Sequence, residues 1–287
     1  MLKSLLGIAP KAEPDGSFSP SKVALMLSTS DTTDYTPVTH EARPGARSKV
    51  IVVFTERKNM MMQNGVEFST GNHPVEALVP MLHLKSAGYE FEIATPTGEP
   101  VVFEMWAMPR KDTAVMGLYE ALQEQLEHPS SLQDVLDRFP AEVDGLAAVF
   151  VPGGHGAMLG LPDDPRVGTL LRAAHDHDLF TITLCHGPGS LLATTLDGQD
   201  FLYAGYEMTV FPDSVDKQTP MVGYLPGPMP WQLCDRLTEL GARIVNKKAD
   251  DSCHIDRQLI TGASPNAANN LGKLSAKTLL EHSQAAG

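Results

Sequence analysis

The chain has 287 residues, 42% of them hydrophobic, and a formal net charge of −13 at pH 7. This length can bury a full hydrophobic core, and the apolar content is typical of a soluble globular protein. The acidic balance argues against nucleic-acid and acidic-membrane partners, and no apolar run approaches the ~18 residues of a membrane span.

The first residues carry no recognisable targeting or disulfide signal. The apolar run from Leu5 to Ala9 ends at Pro10, too early for a secretory signal. The chain has three widely spaced cysteines, Cys185, Cys234 and Cys253, with no CxxC pair. We therefore expect reduced thiols in a cytoplasmic protein, without a disulfide framework or a zinc site.

The predicted elements begin after a polar N-terminal segment. Residues 1–47 are rich in Ser, Thr, Pro and Asp, so we expect an extension that packs on a core domain of residues 48–287. Lys49–Thr55 is predicted to be the first buried strand. A helix follows, with Pro74 at its first position and Glu76 in its first turn.

Residues 98–142 interrupt the alternation of strands and helices. A strand over Tyr89–Thr95 is followed by a short strand, Val101–Met105, and by two amphipathic helical stretches that contain Leu118 and Val135. We expect these residues to form a small inserted helical subdomain.

From Leu146 onward, strands and helices alternate again. Strands are predicted at Leu146–Val151, Phe180–Leu184, Met208–Phe211 and near Arg243 and Leu259. Helices are predicted around Leu170, over Trp231–Leu240 and from Asn266. This alternation predicts an α/β fold with a doubly wound, mostly parallel, flavodoxin-like sheet.

Cys185 stands where the Phe180–Leu184 strand turns into a helical stretch that Gly187 and Pro188 open. A sharp strand-to-helix turn of this kind is a nucleophile elbow, which lifts its side chain out of the sheet. The helix N-terminus behind the turn is positive and lowers the pKa of a nearby thiol. We therefore expect Cys185 to be a nucleophile with thiolate character.

A glycine-rich loop follows the neighbouring predicted strand. Gly153, Gly154 and His155 come directly after Leu146–Val151 and Pro152. Paired glycines let backbone N–H groups point into a pocket, and ligands bind beyond the carboxyl ends of parallel strands. We expect these three residues to form an oxyanion or substrate-binding site beside Cys185.

His186 is the candidate base for the thiol. A carboxylate that follows the predicted Met208–Phe211 strand is expected to orient its imidazole. Both Asp213 and Asp216 lie there, and either side chain can hold an imidazole as in a catalytic triad. A turn-forming or helix-capping role is expected for the other. The residues alone leave this choice open.

Several segments together resemble the glyoxalase III and heat-shock protein 31 branch of the PfpI superfamily. They are PGGHG, TLCHGP, FPDxxDKQTPxxGYxPG, STGNHPxE, EMWAMPxKD and TGxSPxAAN. The resemblance runs from about Lys49 to the C-terminus, and it implies a fold similar to that of class I glutamine amidotransferases. It further implies a cofactor-independent enzyme that converts methylglyoxal to lactate without glutathione. Members are also reported as protein and nucleotide deglycases and as holding chaperones.

The resemblance assigns roles by position. Cys185 matches the nucleophile, His186 its partner, Asp216 the triad carboxylate, and Glu76 the acidic residue that hydrogen-bonds the thiol. Backbone N–H groups of Gly154 and His186 match the oxyanion donors. We expect a homodimer acting on small reactive carbonyls, with glycated or unfolded proteins as further partners.

The sequence departs from its relatives at a metal site. Relatives carry two histidines and a carboxylate there, whereas this chain keeps Glu90 and has Lys85 and Leu122 at the histidine positions. An ammonium group repels a divalent cation and Leu122 has no donor atom. We therefore predict neither a metal nor another cofactor.

Two other functions compete with the enzyme. A chaperone with an incidental thiol is favoured by the 13 methionines and the long N-terminal segment. A cysteine peptidase or amidase is suggested by the His-x-acid pattern at His254 and Asp256. The peptidase ranks last, because Thr183 stands where such enzymes have a glycine two residues before the cysteine.

Overall fold

The structure, a computed structural model, describes residues 6–285. Its strands are β1 (Lys11–Ala12), β2 (Phe18–Ser19), β3 (Lys49–Val53), β4 (Asn59–Met61), β5 (Glu67–Ser69), β6 (Glu90–Thr95), β7 (Ser130–Ser131), β8 (Leu146–Val151), β9 (Phe180–Leu184), β10 (Glu207–Met208), β11 (Arg243–Ile244), β12 (Cys253–Asp256) and β13 (Leu259–Gly262). Its α-helices are α1 (Lys22–Ser28), α2 (Pro74–Ala87), α3 (Thr113–Ala121), α4 (Gln123–Glu127), α5 (Leu132–Glu142), α6 (Pro165–Asp176), α7 (Asp213–Asp216), α8 (Leu233–Glu239) and α9 (Ala268–Ala285).

A seven-stranded sheet forms the centre of the molecule, in the order β12-β13-β9-β8-β3-β6-β7. All neighbours from β13 to β7 pair in parallel, and only β12 runs antiparallel to its neighbour. The carboxyl ends of β3, β8 and β9 therefore meet at one edge. The predicted α/β fold with a mostly parallel sheet is confirmed.

The sheet separates two hydrophobic cores, because successive side chains of a strand point to opposite faces. Val149 and Val151 of β8 belong to one core and Ala148 and Phe150 to the other. All residues of β8 and β9 are buried, as expected for central strands covered by helices on both faces. Helix α6 packs in the first core, and α2 and α9 in the second.

Residues 98–142 contribute to both cores and to the sheet itself. Strand β7 extends the sheet beyond β6, with Ser130 and Ser131 opposite Ala94 and Thr95. Leu118 of α3 lies in one core, and Phe139 of α5 lies in the other.

The N-terminal segment packs near the carboxyl edge of the sheet. Strand β2 pairs with β5 in a second, small sheet, where Phe18 lies opposite Phe68. Ser21 caps α1 by accepting a hydrogen bond from the Ala24 N–H at 3.1 Å. The helix brings Leu27 and Ser28 to the rim of the cavity described below.

Two predicted strands are wrong in extent. In Val101–Met105 only Phe103 forms a bridge, to Asn72, and the chain then enters a 3-10 turn over Met105–Ala107. The Val102 carbonyl accepts hydrogen bonds from both the backbone N–H and the side-chain amide of Asn72, at 2.8 and 2.7 Å, and the pairing extends no further than this bridge.

The strand predicted over Met208–Phe211 is limited to Glu207–Met208. Val210 instead exchanges two hydrogen bonds with the Asn246 side chain, at 3.0 and 2.8 Å. A side chain thus takes the place of a neighbouring strand.

Within residues 6–285, none of the helices combines the length and the apolar composition that crossing a bilayer requires.

Candidate active site

Cys185 sits at the turn between β9 and a stretch of 3-10 helix that begins at Gly187. Its φ of 58° lies in the left-handed region, which is strained for a residue other than glycine. Two backbone hydrogen bonds of 2.9 Å hold this conformation, from the Cys185 N–H to Gly262 and from the Phe211 N–H to the Cys185 carbonyl. The strained turn is the geometry of a nucleophile elbow.

His186 connects the thiol to Asp216. Its Nδ1 lies 3.3 Å from Cys185 Sγ, and its Nε2 lies 2.8 Å from Asp216 Oδ2. The ring stacks on Phe211, with 4.7 Å between the centroids. A carboxylate on one nitrogen keeps the other nitrogen available as an acceptor for the thiol proton.

His155 binds the second oxygen of the Asp216 carboxylate. Its Nε2 lies 3.0 Å from Asp216 Oδ1, and its ring lies 4.0 Å from the His186 ring. Burial alone would raise the pKa of the Asp216 carboxyl, but the two imidazoles together hold it below its usual range. The His155 side chain is therefore part of a His-Asp-His network, a contact that the sequence did not predict.

Asp213 faces away from this network. Its two carboxylate oxygens accept hydrogen bonds from the Cys234 and Asp235 N–H groups at 2.9 and 3.1 Å. Asp213 thus caps α8, whose first residue is Leu233. Of the two aspartates that the sequence left open, Asp216 contacts His186.

Glu76 projects from the first turn of α2 toward the thiol, with a fully buried side chain. Burial raises the pKa of its carboxyl well above the usual range, and the nearby Glu104 adds to this effect. The Cys185 thiol and the Gly154 N–H face the carboxyl and favour its charged form. A carboxyl whose pKa is raised in this way keeps its proton at neutral pH and can donate it.

The expected lowering of the Cys185 pKa is wrong. The residue is only 3% exposed, and burial together with the neighbouring Glu76 carboxyl raises the pKa of the thiol. The Gly154 N–H acts in the opposite direction. The thiol therefore needs a base within reach, and His186 is in that position.

The glycine loop leaves room for these contacts. A Cβ on Gly153 would collide with the Glu76 carboxylate and would lie 2.8 Å from Cys185 Cβ. Gly154 has a φ of 97°, and a Cβ there would lie 2.5 Å from the backbone nitrogen of His73. The loop after β8 can approach the thiol only without side chains at these two positions.

These groups line a cavity of about 320 Å³ at the carboxyl edge of the sheet. The lining residues are Leu27, Ser28, His73, Glu76, Glu104, Gly154, His155, Cys185, His186, Phe211, Val215, Thr219, Tyr224, Ala249, Ser264, Pro265 and Asn266. No functional role was predicted for His73, Glu104 or Tyr224 from the sequence. Each lies in one of the segments that resemble the PfpI superfamily, and that resemblance is the sequence feature that could have pointed to them.

One group of potential metal ligands lies among the described residues. His155, His186 and Asp216 are close enough together to surround an ion. The imidazole nitrogens that face Asp216 are, however, its hydrogen-bond partners. At the positions where the family resemblance implies metal-binding histidines, Lys85 is exposed and Leu122 is buried in the apolar core.

Residues 66–217 match the sequence model of the DJ-1/PfpI family. The chain belongs to the DJ-1/PfpI family. Relatives within the family are similar over nearly the whole chain. The protein/nucleic acid deglycase HchA of Pseudomonas aeruginosa strain UCBPP-PA14 is 46% identical over 275 residues, which cover 95% of this chain and 94% of that protein. The same-named protein of Escherichia coli O157:H7 is 42% identical over 266 residues, 93% of each chain.

Solved structures share the fold of this DJ-1/PfpI chain. The Rapid Encystment Protein 24 kDa of Francisella tularensis aligns with a TM-score of 0.69 at 20% identity, covering 81% of this chain and 99% of that one. Glyoxalase III from Candida albicans aligns with a TM-score of 0.62 at 18% identity, covering 82% and 97%.

Proposed function

We propose that the chain is a cysteine-dependent glyoxalase III, which converts methylglyoxal to lactate without glutathione or another cofactor, and also a deglycase. The observation that carries the proposal is the Cys185 elbow, with its thiol 3.3 Å from His186 and Glu76 against it. Relatives at 42–46% identity that are named deglycases support the second activity.

The reaction begins with proton transfer from the thiol to His186. Asp216 stabilises the imidazolium that forms, and the thiolate adds to the aldehyde carbon of methylglyoxal. The developing oxyanion faces the Gly154 N–H. The protonated Glu76 carboxyl then gives its proton to this oxygen, which completes a hemithioacetal.

An internal proton shift follows. The Glu76 carboxylate takes the hydrogen from the hemithioacetal carbon, a double bond forms to the ketone carbon, and the ketone oxygen takes up a proton. Glu76 returns its proton to the former ketone carbon, the hemithioacetal hydroxyl loses its own, and a lactyl thioester results. No oxidant is needed, because one carbon is oxidised as the other is reduced.

Hydrolysis restores the site. Glu76 takes a proton from water, the hydroxide adds to the thioester carbon, and the carbon–sulfur bond breaks. His186 returns its proton to the sulfur. Each group ends in its starting state, with one water consumed and one lactic acid released.

As a deglycase, the same thiol would act on carbonyl adducts carried by larger molecules. The relatives' names include both proteins and nucleic acids, whereas the sequence predicted no nucleic-acid partner. We propose glycated protein as the preferred substrate, because a net charge of −13 repels polyanions.

The decisive experiment is lactate formation from methylglyoxal without glutathione. We expect Cys185→Ala to abolish turnover, since no other described cysteine lies in the cavity. Cys234→Ala and Cys253→Ala are matched controls and should retain most of the activity. Substantial lactate formation by the Cys185 variant would contradict the mechanism.

A chaperone role is the second candidate, favoured by one surface feature. Met26 and Leu27 of α1 are 83% and 74% exposed, beside the cavity. An apolar pair of this kind can contact unfolded chains. If Cys185→Ala retains full suppression of aggregation, the holding activity is independent of the thiol.

A further inference from the structure

Glu104 is a second buried carboxyl in the cavity that holds Cys185 and Glu76. It follows the bridge between Asn72 and Phe103, and its N–H donates to the Asn72 carbonyl at 3.0 Å. Its side chain is buried, with 1% of the residue exposed. The backbone thus holds the carboxyl firmly at the cavity wall.

Only one oxygen of this carboxyl has a partner. Thr70 Oγ1 donates a hydrogen bond to Glu104 Oε1 at 2.7 Å, and the His155 backbone N–H also faces the carboxyl, while Oε2 accepts no hydrogen bond of normal geometry from the described residues. A buried unpaired oxygen is costly, and an amide would serve equally well if the only purpose were to accept from Thr70. Because Glu104 lines the cavity, a ligand bound there is the partner that this oxygen can take.

The burial of Glu104 favours a proton-carrying state near neutral pH. Burial raises its pKa to about 7, while His155 and Thr70 favour the charged form. Glu76 and Tyr224 line the same cavity, and a negative charge on Glu104 raises the pKa of both groups. Two carboxyls that share one cavity do not both ionise easily.

The proposed reaction needs an acid that Glu76 does not supply. While Glu76 holds the hydrogen from the hemithioacetal carbon, the ketone oxygen must receive a proton from another group. The other titratable groups of the cavity are His73, Glu104, His155, His186 and Tyr224. His155 and His186 both bind Asp216, while burial lowers the pKa of His73 to about 3 and raises that of Tyr224 well above its usual range, so Glu104 is the remaining candidate acid.

We propose that Glu104 is a catalytic residue of this reaction, the group that exchanges protons with the two substrate oxygens. This inference rests on the proposed function. Protonated Glu104 gives its proton to the ketone oxygen as the double bond forms. The resulting carboxylate then takes the proton of the hemithioacetal hydroxyl as the thioester forms. Glu104 therefore ends protonated, as it began.

Glu104→Gln tests the proposal, with Glu67→Gln on β5 as the matched control. We expect kcat/KM for methylglyoxal to fall at least ~100-fold in Glu104→Gln, the usual scale of general acid catalysis, and to stay within about twofold in the control. The alkylation rate of Cys185 by iodoacetamide should stay within about twofold of wild type in both. A purely structural role would instead change alkylation and turnover together.

The pH profile supplies a second readout. Wild-type kcat should fall as the pH rises through about 7, because Glu104 then loses the proton it donates. Thr70→Val removes a hydrogen bond that favours the carboxylate, so the fall should move to higher pH. In Glu104→Gln this fall should be absent.

The outcomes separate the two proposals. A wild type that forms no lactate overturns the glyoxalase function and this inference with it. Wild-type turnover combined with near-normal turnover in Glu104→Gln overturns the role of Glu104 alone. An alkaline fall that stays at the same pH in Thr70→Val and Glu104→Gln also overturns it.

Discussion

The two aspartates of α7 lie three residues apart and contact different parts of the molecule. Asp216 binds both buried imidazoles, and Asp213 caps the neighbouring helix α8. The same type of side chain thus binds two imidazoles at one position and caps a helix at the other.

Exchanging each carboxylate for an amide should separate these roles. Asp216→Asn should lower kcat for methylglyoxal by about 10³-fold or more, because His186 loses its orienting acceptor. Asp213→Asn should keep most of the turnover and lose about 1 kcal/mol of stability through the weakened cap. Steady-state kinetics and urea unfolding measure both effects. A larger catalytic loss in the Asp213 variant would mean that Asp213 is the triad carboxylate.

Glu104 should also make stability depend on pH. Its pKa is raised from 4.5 to about 7 on folding, so the folded chain binds more protons between these values. Wild type should therefore lose stability relative to Glu104→Gln as the pH rises from about 4.5 to 7.5, by about 3 kcal/mol. His73, whose pKa burial lowers to about 3, acts in both proteins and cancels in the comparison. A constant stability difference across urea titrations at several pH values would show that Glu104 ionises normally.

At the scale of elements, the site depends on two adjacent strands ending at the same edge. β8 leads into the glycine loop and β9 into the Cys185 turn, and the two strands pair from Ala148 to Val151. Helix α2 brings Glu76 against both. The close approach of these three elements requires the bare backbone at Gly153.

Gly153→Ala should therefore damage the site by steric conflict. The added methyl would meet the Glu76 carboxylate and the Leu184 carbonyl, so we expect at least a tenfold loss of turnover and a destabilisation of about 1–3 kcal/mol. Gly117→Ala is a matched control, because no atom lies within 4 Å of its added Cβ and it lies in α3. That change should leave turnover intact and stabilise the helix by about 0.5–1 kcal/mol. Equal turnover in both variants would contradict the packing argument.

At the scale of the whole molecule, the surface position of Lys85 and the apolar packing of Leu122 bear on metal dependence. The proposed reaction uses a thiol and proton donors only, so we expect full turnover after chelation. Elemental analysis of the purified protein should find no stoichiometric zinc. One tightly bound metal per chain, or activity lost to a chelator and restored by zinc, would contradict this prediction.

The sequence by itself determined the order of the main strands and helices, because buried runs such as Leu146–Val151 carry their own pattern. It also determined the elbow at Cys185, since Gly187 and Pro188 lie next to it in the chain and can only end the strand there. The predicted strand at Met208–Phe211 failed because a side chain distant in sequence, that of Asn246, replaced a strand partner.

Only the tertiary structure decided how the site is wired. His155 and His186 lie 61 and 30 positions before Asp216 in the chain. Both bind its carboxylate because the sheet brings their loops together. The raised pKa of Cys185 and the orphan oxygen of Glu104 depend on burial by several elements at once. Burial and charge pairing are properties of the folded chain. A local pattern therefore predicts the nucleophile, but not the protonation state of its thiol or the presence of a second carboxyl in the cavity.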